Sequence, residues 1–122
     1  MKIIPRNVHG ILDYVVGLLL IAAPWLLGFS DSGPATTVPV ALGAGALLYS
    51  LLTNYELGLI RVIPFNVHLV LDFMSGAFLA ASPWLLGFAD RVSTPHLVLG
   101  LFEIGAAVMT RNTPAGPASV RL

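Results

Sequence analysis

The 122-residue chain is apolar and carries few charges, with 57% hydrophobic and 10% charged residues. A soluble domain usually has about 25% charged residues, so a soluble fold of this size could hardly cover its surface with polar groups. Six basic and six acidic residues cancel, which leaves no basic field to attract nucleic acid. The absence of cysteine from the sequence excludes disulfides and thiolate metal sites. Composition therefore predicts an integral membrane protein whose main surroundings are the lipid bilayer.

Long uncharged runs predict four transmembrane helices, because about 20 mainly apolar residues are needed to cross the hydrocarbon core. In chain order, we expect these helices at 7–29, 38–54, 65–88 and 95–111. Clusters of Gly, Pro, Ser and Asp separate the first helix from the second and the third from the fourth. Thr94 is the expected N-cap of the last helix, with Pro95 at its first helical position. The apolar segment 59–64 is expected to lie along the membrane interface.

The sequence repeats itself at a shift of 59 residues. The motif Ile-Pro-x-Asn-Val-His at 4–9 recurs at 63–68, and Pro-Trp-Leu-Leu-Gly-Phe at 24–29 recurs at 83–88. The second arms align at a shift of 57, which pairs Thr53 with Thr110. Each copy contains two helices, an even number, so both copies insert in the same direction. We therefore predict an all-α membrane protein of two parallel-repeat helical hairpins, 1–58 and 59–111, followed by a disordered tail at 112–122.

The repeated motif resembles that of the SPW repeat family of small integral membrane proteins, which is named after Ser-Pro-Trp. The second copy reads Ser82-Pro83-Trp84, whereas the first reads Ala23-Pro24-Trp25 and so keeps Pro and Trp but not Ser. The resemblance extends from about residue 4 to residue 111. It implies two two-helix repeats in a bacterial or archaeal membrane, and it implies no particular biochemical activity.

We interpret the Pro-Trp motif as structural. Each proline lies in the last turns of its helix, where it removes a backbone hydrogen bond and is expected to kink the helix. Each following glycine allows the helix to end, and each tryptophan is expected near the outer membrane interface. The residues assigned this role are Pro24, Trp25, Gly28, Pro83, Trp84 and Gly87.

A polar stripe runs along the start of the first and third helices. His9 and Asp13 are four residues apart and share one helix face, and His68 and Asp72 repeat the pattern. If the two stripes face each other, they gather two imidazoles and two carboxylates near the pseudo-two-fold axis. One hypothesis is a polar lock, in which each His donates to an Asp or the Asp side chains pair with nearby arginines. Another is a proton site.

The same four side chains could instead bind a metal ion, because imidazole and carboxylate suit zinc, manganese or iron. Haem held by His9 and His68 is a further alternative, made less attractive by the neighbouring carboxylates. No cofactor is predicted as the leading interpretation, and whether the cluster binds metal or only stabilises the fold stays open at this point.

Glu103 is an acid in the middle of the fourth predicted helix, where an ionisable group is costly and usually faces the bundle or a cavity. Its counterpart in the first repeat is Ala46, so it breaks the repeat symmetry. We expect it to be uncharged and hydrogen-bonded to a hydroxyl such as that of Tyr49 or Ser75. The alternatives are a proton relay, a ligand site or a subunit contact. His96 is expected to be an interfacial residue rather than a ligand.

No nucleophile motif, phosphate loop or dinucleotide fingerprint is present in the sequence, so no catalytic residue is predicted. The leading hypothesis is a non-catalytic scaffold or accessory subunit that packs laterally as a homo-oligomer or within a larger membrane complex. Small residues on the second helix favour such contacts; they are Ala41, Gly43, Ala44, Gly45 and Ala46. The alternative is proton or small-ion transport through a homo-oligomer by Glu103 and the His-Asp cluster. A metal- or haem-binding membrane protein, including a metal-dependent enzyme, is third.

The distribution of Lys and Arg predicts the orientation in the membrane. With four spans, the side that holds both termini and the 55–64 loop carries five of the six basic residues, and the other side carries Arg91. The positive-inside rule therefore places both termini in the cytoplasm of a prokaryotic inner membrane. Reporter fusions after residue 58 and at the C-terminus should report cytoplasm, and fusions at residues 33 and 91 should report the outside. A cytoplasmic signal at residue 33 contradicts the four-span topology.

Overall fold

A computed structural model describes residues 2–111, so the predicted disordered tail at 112–122 lies outside the described residues. The chain forms four α-helices: α1 (Arg6–Leu26), α2 (Pro34–Leu51), α3 (Phe65–Leu85) and α4 (Thr94–Met109). Residues 2–111 contain no β-strand beyond two isolated parallel bridges, Ile4 with Thr110 and Thr53 with Ile63. The predicted all-helical fold is confirmed.

Three of the helices are long and apolar enough to cross a membrane. They are α1, α2 and α3, with 21, 18 and 21 residues. The apolar helix α4 has 16 residues, which corresponds to about 24 Å at 1.5 Å per residue, shorter than a hydrocarbon core of about 30 Å. The protein is therefore a multi-pass membrane protein, and its last helix is shorter than the predicted 95–111 segment.

Helix ends account for most differences from the predicted boundaries. The first three helices each end three residues earlier than predicted, and α2 begins four residues earlier, at Pro34. Proline fits the first turn of a helix because its missing N–H has no partner to bond there. The expected N-cap role of Thr94 is wrong, because α4 already includes Thr94, and the capping residue Ser93 makes no side-chain capping hydrogen bond.

Paired glycines let the two arms of each hairpin approach closely. A Cβ atom on Gly43 would lie 2.6 Å from the Gly17 carbonyl oxygen, and one on Gly100 would lie 2.5 Å from the Gly76 carbonyl oxygen. Both distances are far below van der Waals contact with a rigid backbone atom, so neither glycine can be replaced without separating the helices. The same contact occurs in both repeats, and α1 packs mainly on α2 while α3 packs mainly on α4.

The segment between α2 and α3 folds back on the end of α2. The amides of Leu59 and Ile60 donate to the Leu51 carbonyl, and the amide of Ile63 donates to the Leu52 carbonyl. The outer side of this segment is apolar, with Leu59 75% exposed; its position along the membrane interface stays a prediction. Its inner side carries Tyr55, which is buried against the start of α3. This loop therefore brings a tyrosine hydroxyl into the interior of the bundle.

Candidate functional site

The structure brings the four predicted polar side chains together at one end of the bundle. His9 and Asp13 come from the start of α1, and His68 and Asp72 come from the start of α3. One potential ligand atom from each residue lies within 4.8 Å of all the others. All four side chains are at least nine-tenths buried. We call this group the His–Asp cluster.

Each histidine of the cluster contacts the aspartates of both repeats. His9 Nε2 lies 3.0 Å from Asp13 Oδ1 and 2.7 Å from Asp72 Oδ2. His68 Nε2 lies 2.9 Å from Asp13 Oδ2 and 3.1 Å from Asp72 Oδ2. The His–Asp contacts between the repeats are thus as close as the His–Asp contacts within each helix, where the two residues are one turn apart. The cluster therefore joins α1 directly to α3.

Two threonines fix the direction of the histidine rings. His9 Nδ1 lies 2.8 Å from Thr110 Oγ1, and His68 Nδ1 lies 2.7 Å from Thr53 Oγ1. Each hydroxyl already donates its single hydrogen to a helix carbonyl four residues earlier, so it must accept from the histidine. Both Nδ1 atoms therefore carry hydrogen, and both Nε2 atoms face the centre of the cluster. The threonine of each repeat holds the histidine of the other.

Two tyrosine hydroxyls orient the aspartates. Tyr55 donates to Asp13 Oδ2 at 2.7 Å, and Tyr49 donates to Asp72 Oδ1. Burial and the neighbouring Asp13 carboxylate raise the pKa of Tyr55, so this phenol remains a hydrogen-bond donor over the physiological pH range. Two of the arginines considered as partners for the aspartates bond elsewhere: Arg6 pairs with Glu56 at 3.0 Å, and Arg61 donates to two backbone carbonyls.

A small cavity lies between the cluster and Glu103. Its volume of about 20 Å³ is enough for one water molecule. Its polar walls are His9, Asp13, Asp72 and Glu103, and Ala46 and Ala106 are among its apolar walls. Ser75 Oγ lies 3.4 Å from Glu103 Oε1, so the expected hydroxyl neighbour is Ser75, whereas Tyr49 bonds to Asp72 instead.

The Pro-Trp motif ends α1 and α3 in the same way at the opposite end of the bundle. Gly28 and Gly87 have φ of +74° and +77°, the left-handed conformation that glycine adopts without steric penalty. The amides three residues past each helix end, those of Phe29 and Phe88, donate back to the carbonyls of Pro24 and Pro83 at 2.8 Å. This is the Schellman arrangement, which turns the chain and directs a phenylalanine into the core.

His96 occupies the space between these two phenylalanines. Its ring centroid lies 5.1 Å from that of Phe29 and 4.9 Å from that of Phe88. Its Nε2 lies 2.8 Å from the Ala35 carbonyl oxygen, which can only accept, so Nε2 carries the hydrogen. The position of His96 at the outer membrane interface stays a prediction, whereas the residue itself is 1% exposed and lies inside the bundle. The reason is that both motifs fold their phenylalanines over it.

Comparison with known proteins identifies the family. The sequence model of the SPW repeat domain matches residues 7–110, most of the chain. The chain belongs to the SPW repeat family. No curated protein and no solved structure shows significant similarity to it. In this SPW repeat protein, Ser82 of the signature is fully buried and its hydroxyl donates to the Leu79 carbonyl at 2.7 Å, while Trp84 is 57% exposed on the outer surface.

Sequence reasoning missed the residues that orient the cluster. Thr53 and Thr110 were paired by the repeat alignment, and that alignment was the available signal, because a matched polar pair among apolar residues indicates a shared role. Tyr55 carried no such signal, since it lies in the segment after α2 and has no counterpart within the described residues. Its role depends on how that segment folds back.

Asp72 is expected to stabilise the fold strongly, because its Oδ2 atom lies against both histidines. Asp72→Ala leaves two buried Nε2 groups without this partner, and breaking a buried ion pair in this way costs about 3–5 kcal/mol. Asp31→Ala is the matched control, because Asp31 pairs with Arg91 at the exposed surface, where such a pair contributes at most about 1 kcal/mol. Reversible unfolding in mixed detergent micelles measures both changes. Equal, small losses of stability would show that the cluster does not hold the repeats together.

Proposed function

We propose that the protein is a non-catalytic scaffold or accessory subunit of a bacterial or archaeal inner membrane, with both termini cytoplasmic, that packs laterally with copies of itself or within a larger membrane complex. The observation that carries this proposal is how little space residues 2–111 leave beside the His–Asp cluster. The cavity beside the cluster has about 20 Å³, which excludes an organic substrate or a hydrated ion at that position. A much larger apolar groove, about 510 Å³, lies on the outside along α1 and α4.

The outer face of α2 supports lateral packing. Gly43 and Ala46 are buried inside the bundle, whereas Ala41 and Ala44 are exposed and Gly45 would have open space around an added Cβ atom. Ala41 and Gly45 lie one turn apart, which gives a small-xxx-small pattern on a surface that the chain itself does not cover. In membranes, such patterns let helices approach closely enough for van der Waals packing to hold them together.

Gly45→Leu tests the proposed α2 contact. The variant should fold, because nothing lies within 4 Å of the new Cβ position, but the larger side chain should keep a neighbouring helix away. We expect the detergent-corrected mass, measured by light scattering, to fall from that of an oligomer to that of a monomer. Gly105→Leu is the control, since Gly105 on α4 is equally open and should leave the mass unchanged. A monomeric wild type that also captures no membrane partner contradicts the scaffold proposal.

Proton transport is the second candidate, and the cavity next to Glu103 is the observation that favours it. One water there would stand between the Glu103 carboxyl and the carboxylates of Asp13 and Asp72. Short chains of acids and water within a membrane are typical of proton pathways. Within residues 2–111 this cavity has room for only about one water molecule, and four helices seldom enclose a proton pathway alone, so this function would also require an oligomer.

Glu103→Gln separates this candidate from a structural role. Glutamine keeps the shape and hydrogen-bonding capacity of Glu103 but cannot release a proton. If Glu103 relays protons, the variant should keep the fold and lose pH-driven flux in proteoliposomes, whereas Glu56→Gln, at an exposed acid bonded to Arg6, should keep it. If Glu103 is structural, Gln should be tolerated and Glu103→Ala should cost about 0.6 kcal/mol, the average for an intramembrane hydrogen bond. Absence of flux in wild-type proteoliposomes rejects the transport candidate.

A further inference from the structure

The His–Asp cluster presents two nitrogen atoms and two carboxylates to one point. Both histidines donate Nδ1–H to a threonine, so in a neutral imidazole the Nε2 lone pair is directed at the cluster centre. A metal-binding histidine usually binds the ion through one ring nitrogen and donates a hydrogen bond from the other, and this hydrogen bond orients the ring. The tyrosine bonds to Asp13 and Asp72 orient the carboxylates in the same manner.

Hydrogen bonding within the cluster does not satisfy all of its atoms. His68 Nε2 lies 2.9 and 3.1 Å from two carboxylate oxygens, yet its in-plane N–H direction points at neither, and it has no hydrogen-bond partner. The His68 side chain is fully buried, so an unpaired N–H there is costly. A neutral imidazole is no better, because its lone pair would face carboxylate oxygens. A cation at the centre removes both difficulties, since lone pairs and carboxylates all become ligands.

Charge and size both fit a divalent ion. With an ion bound, both histidines are neutral and both aspartates are ionised, so the four ligands carry a charge of −2. One divalent cation neutralises this charge in a setting where uncompensated charge is expensive. Bonds of about 2.0–2.1 Å in a tetrahedral site separate the ligand atoms by about 3.3 Å. The cross-repeat distances are 2.7 and 2.9 Å, and all candidate ligand atoms lie within 4.8 Å of one another. Side-chain shifts that widen the closest pairs and narrow the most distant ones would therefore form a tetrahedral site. The adjacent cavity offers space for these shifts and a position for a water ligand.

We propose that His9, Asp13, His68 and Asp72 bind one divalent transition-metal ion of the zinc, manganese or iron type between the two SPW repeats. The mixed nitrogen and oxygen ligands favour these metals over magnesium or calcium, which prefer oxygen alone. Haem does not fit, because the aspartate oxygens fill the space between the two histidine rings, whose centroids are 5.5 Å apart. The site is independent of lateral packing, so it stands or falls separately from the scaffold proposal.

The direct test is metal binding by the wild-type protein in detergent, purified without a polyhistidine tag. Protein treated with a chelator and then dialysed should bind one Zn²⁺, Mn²⁺ or Fe²⁺ per chain in a calorimetric titration, and Co²⁺ should give the visible absorption of a four- or five-coordinate site. Binding should raise the thermal midpoint, because an ion that binds the folded state stabilises it. A folded, monodisperse wild type that binds none of these ions overturns the proposal.

Variants then show whether the ion occupies the cluster. Asp13→Asn and His68→Gln preserve side-chain size and should abolish stoichiometric binding, whereas His96→Gln removes a buried histidine outside the cluster and should retain it. Thr53→Val keeps the shape of the residue but removes the acceptor of His68 Nδ1–H, and such losses typically weaken metal affinity by about 10–100-fold. Unchanged affinity in Asp13→Asn and His68→Gln, or equal loss in His96→Gln, overturns the assignment of the ion to this cluster.

Discussion

The contact between the histidine of one repeat and the aspartate of the other organises the rest of the structure. Lipid is as apolar as leucine, so the hydrophobic effect does little to decide which faces of membrane helices meet, and packing and polar contacts decide instead. His9 lies 2.7 Å from Asp72, and His68 lies 2.9 Å from Asp13. These cross-repeat contacts turn the polar stripes of α1 and α3 inward, and the apolar faces of the helices are left towards the lipid.

A buried group of ionisable side chains needs further polar partners, and the chain supplies them by two routes. The threonines that hold the histidines, Thr53 and Thr110, are equivalent in the two repeats and stand at the ends of α2 and α4. The tyrosines that hold the aspartates both come from the first repeat. In the second repeat, the residue equivalent to Tyr49 is the smaller Ala106, and Ala106 forms part of the cavity wall. The small cavity therefore lies where the repeat symmetry is broken, with Glu103 also in its wall.

The SPW signature and the His–Asp cluster lie at opposite ends of the bundle and have different roles. The signature ends α1 and α3 through left-handed glycines and turns Phe29 and Phe88 inward around His96. This packing closes one end with aromatic rings. The ionisable chemistry is concentrated at the other end, in residues that lie outside the signature for which the family is named. A search for activity in this protein should therefore begin with the cluster rather than with the Ser-Pro-Trp motif.

The sequence by itself determined the membrane class, the number and approximate position of the helices, and the two-fold repeat. It could do so because the length of a hydrophobic run and a repeat at a fixed shift can both be read along the linear sequence, without knowledge of how the helices pack. It also placed His9 with Asp13 and His68 with Asp72, since residues four apart share a helix face. Helix ends were less predictable, because the turns at Gly28 and Gly87 end α1 and α3 three residues before the predicted ends at 29 and 88.

Only the tertiary structure decided which residues complete the site. Thr110 and His9 are 101 positions apart, and Tyr55 reaches Asp13 because the segment after α2 folds back under its own backbone hydrogen bonds. The burial of His96 and the one-water cavity likewise depend on how the two hairpins pack. No local pattern encodes such contacts, because they arise from the relative placement of helices that the sequence specifies one at a time.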